Sequence, residues 1–182
     1  MGLRARILLR KPLTEEERNA IGFGLRKFCN RVENGYFDEE GWDFWVSNGQ
    51  AIRIKYKGPL RRLFISFYAS DEEINLREAR TIYSCFGWRP TSAFTVGAYE
   101  ETRVDHLLLG GLVLNIAEQF NGLIDYQGYL TPGRITHSPQ VTKRKLRSLK
   151  GKLCTVTSHH QFHVSDPIFL ESWLQHPRFM MI

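Results

Sequence analysis

A chain of 182 residues, 42% hydrophobic and 13% aromatic, is long enough to bury a core and too apolar to be disordered. Its net charge of +6 and pI near 9.4 favour two kinds of partner, nucleic acid or an acidic protein surface. The longest apolar run, Leu107 to Leu114, is broken by Gly110-Gly111 and falls short of the roughly 20 residues a membrane span needs. The basic N-terminus carries no apolar h-region, so no signal peptide is expected.

In chain order, Leu3 to Arg10 predicts a strand. Thr14 to Glu17 then forms a capping box, in which hydroxyl and carboxylate each satisfy a free amide, ahead of a helix with Ile21, Leu25 and Phe28 on one side. From Val32 to Tyr68 turn dipeptides at Asn34-Gly35, Asn48-Gly49 and Gly58-Pro59 divide the chain. The segments between them predict a three-stranded antiparallel meander of Trp42 to Val46, Ala51 to Lys57 and Leu63 to Tyr68. Ile52, Ile54 and Tyr56 alternating with Arg53, Lys55 and Lys57 give the clearest half-buried strand pattern. Ser70-x-x-Glu73 reads as a second capping box, before a helix from Ile74 to Phe86 that Gly87, Arg89 and Pro90 end.

Phe94 to Ala98 predicts a strand leading into a central helix, about 104–120, whose apolar residues cover nearly its whole circumference. Asn121-Gly122 is a good stop, because both residues tolerate the left-handed backbone that ends a helix. Gly110-Gly111 costs roughly 1 kcal/mol per glycine against alanine, so a neighbour is expected to pack very close there. Leu123 to Tyr126 reads as a short strand and Leu153 to Val164 as one or two more. Asp166-Pro167 starts a last helix that buries Phe169, Leu170 and Trp173. No repeat or linker divides the chain. The expectation is one α+β domain over residues 1–182, a mainly antiparallel sheet against the buried central helix with two or three further helices.

Cys29, Cys85 and Cys154 are an odd, widely spaced set, which argues against a disulfide framework or a cysteine-type zinc site and points to a reducing cytoplasm. His159, His160 and His163 resemble a metal cluster at first sight. On a strand, however, His159 and His163 would stand about 13 Å apart, so no metal is expected. Asp105-His106 at the start of the central helix is better read as a helix-stabilising carboxylate than as an acid–base pair. Cys154 with His159, His160 and Asp166 supplies the residue types of a cysteine hydrolase without any recognised motif, and no cofactor-binding loop is present.

Two stretches look suited to binding. Tyr36, Phe37, Asp38, Glu39, Glu40 and Trp42 interleave aromatic anchors with acids, a pattern that protein interfaces favour. Lys143, Arg144, Lys145 and Arg147 head a basic run that no acid opposes between Asp125 and Asp166; it could neutralise phosphates, but it contains no aromatic for base stacking.

The central helix running into Asn121-Gly122-Leu123-Ile124-Asp125-Tyr126-Gln127-Gly128 resembles a family of small bacterial proteins found among the immunity proteins of polymorphic and contact-dependent toxin systems. So does the ending His163-Val164-Ser165-Asp166 with Phe169-Leu170-Glu171-Ser172-Trp173-Leu174-Gln175-His176-Pro177-Arg178-Phe179. The resemblance covers the C-terminal half. It implies a cytoplasmic, non-enzymatic protein that neutralises one cognate toxin, the product of an adjacent gene, by binding and covering its active site. Many immunity proteins are acidic because their toxins are basic nucleases. This chain is basic, so its toxin should present an acidic surface or be met by the acidic-aromatic hairpin. The alternatives are a nucleic-acid-binding module using residues 143–152 and, behind it, the Cys/His hydrolase.

Overall fold

The computed structural model describes residues 2–35, 41–67, 74–128, 130, 146, 148–157 and 161–181. Eight antiparallel strands form one sheet in the order β2-β3-β4-β5-β1-β6-β8-β7. They are β1 (Leu3–Leu9), β2 (Arg31–Asn34), β3 (Trp42–Asn48), β4 (Lys57–Ser66), β5 (Ser92–Ala98), β6 (Leu123–Asp125), β7 (Leu153–Thr157) and β8 (Gln161–Ser165). Among the described residues the helices are α1 (Glu15–Arg26), α2 (Leu76–Phe86), α3 (Arg103–Phe120) and α4 (Pro167–Leu174). The α+β class with a mainly antiparallel sheet and a buried central helix is therefore the observed architecture.

Side-chain alternation along β1 sets the layers. Leu3, Ala5, Ile7 and Leu9 join the larger core with α1, α3 and α4, while Leu8 points the other way into a smaller core under α2 with Ile82, Leu123, Val156 and Val164. Each helix starts where the chain can close its free amides. In α1 the Glu17 amide donates to Thr14 Oγ1 at 3.1 Å, and the Thr14 amide donates to Glu17 at 2.8 Å. In α4 the Phe169 amide donates to Asp166 Oδ1 at 2.8 Å, with Pro167 in the first turn. Asn121 ends α3 in the left-handed region at φ 50°.

The glycine pair in α3 meets the close neighbours its cost implied. A Cβ on Gly110 would stand 2.5 Å from the Phe179 ring, and one on Gly111 would stand 2.5 Å from Ile54 and 2.7 Å from the Ile52 carbonyl.

Four expectations need correction. Residues 51–57 are not a strand. Gly49 accepts the amides of Ile52 and Ile54 at 3.0 Å, and Arg53 turns into the left-handed region at φ 61°. The segment is thus a short 3-10 turn, Gln50–Ile52, and a coil. Its alternation is real, but Ile52 and Ile54 face α3 from a turn, not from a pleated strand. The strand instead starts at Lys57 and runs through Gly58-Pro59. This is tolerated because the β3–β4 register shifts between Asn48↔Lys57 and Val46↔Arg61, so the proline sits where a ladder bond is already missing. The cap of α2 is Asn75 with Glu78, the Glu78 amide donating to Asn75 Oδ1 at 3.0 Å; Ser70 and Glu73 lie outside the described residues. β2 was missed because its four residues, Arg31–Asn34, are too few and too polar to show a pattern. Finally, Cys85 at the end of α2 is disulfide-bonded to Cys154 on β7, with Cα atoms 6.3 Å apart and a sequence separation of 69. No local spacing signals a pairing made by tertiary placement, and the cysteine-based argument for a reducing compartment falls with it.

Close packing makes two glycines respond oppositely to the same change. Gly111→Ala would push a methyl into a backbone carbonyl and should cost about 1–3 kcal/mol. Nothing lies within 4 Å of a Cβ on Gly24 in α1, so Gly24→Ala should stabilise by about 0.4–1 kcal/mol. Urea midpoints of the two variants, read against the parent, check both signs.

Candidate interaction face

α2 covers only the β1, β6, β8 and β7 part of its side of the sheet. The other part, on β2 to β5, carries a row of arginines and aromatics fixed by strand register. Arg31 on β2 pairs with Trp45 on β3, and Trp45 with Arg62 on β4, so the three side chains stand side by side. The Arg31 guanidinium lies 4.8 Å and that of Arg62 5.2 Å from the Trp45 ring, and Arg62 lies 4.2 Å from the ring of Tyr99, just beyond β5. One row along, Phe64 covers Gly97, where a Cβ would stand 2.3 Å from the ring, and Arg4 stacks on Phe64 at 5.7 Å. Phe64 and Tyr99 meet edge to face at 5.4 Å.

Carboxylates hold the cations from the side. Arg31 pairs with Glu33, and Arg62 donates to Asp43 Oδ2 at 2.9 Å. The Tyr99 hydroxyl donates to Asp43 Oδ1 at 2.7 Å. Burial first, then this hydrogen bond and the Asp43 charge, push the Tyr99 phenol up to about 12, so it stays a neutral donor. The Arg31 and Arg62 side chains remain 63% and 38% exposed, while Asp43 is buried. Each cation–π contact adds about 0.5–1 kcal/mol at such an exposed site. Together with the carboxylates, they hold long side chains that would otherwise lose rotamer freedom on binding. Arg4, Arg31 and Arg62 outnumber Glu33 and Asp43, so the row is cationic on balance.

Of the sequence candidates, Tyr36, Phe37, Asp38, Glu39, Glu40, Lys143, Arg144, Lys145 and Arg147 lie outside the described residues. The first five follow β2 and precede β3 in sequence. Trp42 is half-buried and serves the fold: a Cβ on Gly22 of α1 would stand 2.9 Å from its ring, and Phe67 meets it edge-on at 5.2 Å. Arg31, Arg62 and Tyr99 were missed. The pattern on β3 pointed to them, since Phe44 and Val46 face the core and Asp43 and Trp45 therefore face the other way.

The catalytic candidates are committed elsewhere. Cys154 is buried and bonded to Cys85, so in this state it offers no free thiol; His159 and His160 lie outside the described residues. Burial pushes the remaining thiol, Cys29, up to about 12. Asp105 accepts the Thr102 amide at 2.9 Å as a helix cap. Beside it, burial lowers the His106 pKa against the opposing pull of the Met181 carbonyl and the Asp105 charge. His163 is fully buried on β8, with Nδ1 accepting the Leu130 amide at 3.1 Å. Among the described residues no group of three or more His, Cys, Asp or Glu side chains is placed to hold a metal ion. An open depression of about 460 Å³ is lined by Arg10, Trp88, Lys152, Glu118, Asp166 and Glu171, but Glu118 is paired with Arg53 at 3.2 Å and Asp166 caps α4.

Buried below the far end of the face, Arg6 Nε and Nη2 both reach Asp125 Oδ2, at 2.7 and 2.6 Å, across the β1–β6 register. Burial raises the Asp125 pKa, opposed by the Arg6 charge and the Gln127 amide.

Fold and face together define a protein built around an eight-stranded antiparallel sheet with a cation–aromatic surface beside one edge. The chain belongs to the family of unknown function DUF6368, which it matches over residues 1–182. No curated protein and no solved structure matches it.

Removing half of the buried pair strands a charge. Asp125→Ala should therefore cost about 3–5 kcal/mol, whereas Arg6→Met with Asp125→Leu should cost far less than the two single losses combined. A double-mutant cycle in urea measures this; additive losses would show the pair to be uncoupled.

Proposed function

We propose that the protein is a non-enzymatic binding protein of the immunity type, which neutralises a cognate toxin by covering its active site. The observation that carries this reading is the Arg31–Trp45–Arg62–Tyr99 row. It is a preorganised, partly exposed surface of the residue types that dominate protein-binding hot spots, set on rigid strands. Its cationic balance and the chain's net charge of +6 fit an acidic surface on the toxin, which would be drawn in by charge and then gripped by Trp45 and the arginines. Tyr36, Phe37, Asp38, Glu39 and Glu40 are proposed as further contacts on the strength of their composition alone. Among the described residues no helix is long and apolar enough to cross a membrane, and the proposed site of action is the cytoplasm, where such a toxin would act.

Nucleic-acid binding through residues 143–152 stands behind this reading. The arginine–aromatic row does not favour it, because guanidiniums already lie against the Trp45 and Tyr99 rings and a stacking base would have to displace them.

Co-expression with the product of the adjacent gene tests the proposal. The parent chain should abolish that product's toxicity and co-purify with it. Trp45→Ala and Arg62→Glu should each weaken binding by about 30-fold or more while leaving the circular dichroism spectrum unchanged. Equal protection by parent and variants, or a harmless neighbour, defeats the reading. Retention on nucleic acid that falls steeply with salt would turn it toward the alternative.

A further inference from the structure

The two edges of the sheet are built differently. β2 ends one side with exposed, charged Arg31 and Glu33, which guard an edge against unwanted pairing. β7 ends the other as Leu153-Cys154-Thr155-Val156-Thr157, with no charge, no proline and an unbroken register to β8.

Hydrogen bonding shows which groups on β7 point outward. The Asp166 amide donates to the Lys152 carbonyl at 3.1 Å, so the bonded pairs that follow at the antiparallel period are Cys154 with Val164 and Val156 with Phe162. His163 agrees: its amide goes to Gly128 at 2.9 Å and its carbonyl accepts from Tyr126 at 3.0 Å, both away from β7. Leu153, Thr155 and Thr157 thus direct their backbone N–H and C=O groups away from β8. Among the described residues no backbone group meets them.

We infer that β7 pairs antiparallel with β7 of a second copy of this chain, on a twofold axis through Thr155. In that register Thr155 meets its own copy, Leu153 meets Thr157, and every outward N–H and C=O of the strand finds a partner. Cys154 falls beside Val156 on the α2 side, so the apolar layer formed by Cys154, Val156, Phe162 and Val164 continues across the axis. No like charges meet within the strand. The occupant is a second copy because a neutral strand whose two halves complement each other is what a self-complementary, twofold contact requires. One sheet then runs through both copies and leaves the β2 edge, with its arginine–aromatic row, at each outer end.

The test uses the full chain carrying Cys29→Ser, which removes the one cysteine outside the disulfide. Sedimentation should give twice the 21.2 kDa chain mass for this parent. Thr155→Lys and Thr155→Glu, each folded by circular dichroism, should each be monomeric because like charges would then face one another at the axis. Mixing the two should restore the dimer by pairing opposite charges, which misfolding or an unrelated interface would not do. A monomeric parent, a variant that stays dimeric alone, or a mixture that stays monomeric overturns the inference.

Discussion

The approach of α3 to its neighbours at Gly110 and Gly111 is the constraint on which the rest of the molecule depends. A helix buried on nearly every side has no polar face to orient it, so shape must do so. Two adjacent residues without side chains make a saddle that accepts Phe179 from the C-terminal segment and the Ile52–Ile54 turn from between β3 and β4. The C-terminal segment and the β3–β4 turn are thereby tied to the same point, with the sheet packed behind it. The turn matters beyond its own packing, because it brings β4 back alongside β3 and so fixes the neighbours of Trp45.

The cation–aromatic row is a product of that register. Arg31, Trp45 and Arg62 are not close in sequence, and none is unusual for a strand. Their alignment exists because β2, β3 and β4 pair without a bulge over those positions. The inner faces of the same strands put Phe44, Val46 and Leu63 into the core, which makes the outer row rigid without extra bonding. The acidic partners Glu33 and Asp43 come from the row beside it and balance part of the charge. What remains is a surface whose shape is set before any partner arrives.

Much of the fold was legible because its signals are local. The Thr14 box, the Asn121 stop, the Asp166 cap and the full apolar circumference of α3 each act within a few residues, and the structure follows them. The misses share the opposite property. At residues 51–57, a period-2 pattern was produced by a turn facing a helix, because burial alternates in both cases and only the hydrogen bonds to Gly49 tell them apart. The Cys85–Cys154 bond and the arginine row depend on which strands become neighbours, and a one-dimensional pattern carries no such information. The candidate site was therefore legible only in part: the alternation of Asp43 and Trp45 could be read along β3, but not the arginines standing beside them.

The covalent bridge between α2 and β7 has a mechanical corollary. It closes a loop around β5, α3 and β6, the segments that form the middle of the sheet and its main helix. Tension applied between the two termini, as a translocating protease or pore would exert, is carried across the sulfur atoms and bypasses that loop. The strands from β1 to β4 can be drawn out from one end and β8 with α4 from the other, while the enclosed stretch stays slack until the bond is reduced. A thread-pulling machine would thus meet a covalent stop in mid-chain that no amount of non-covalent packing could provide.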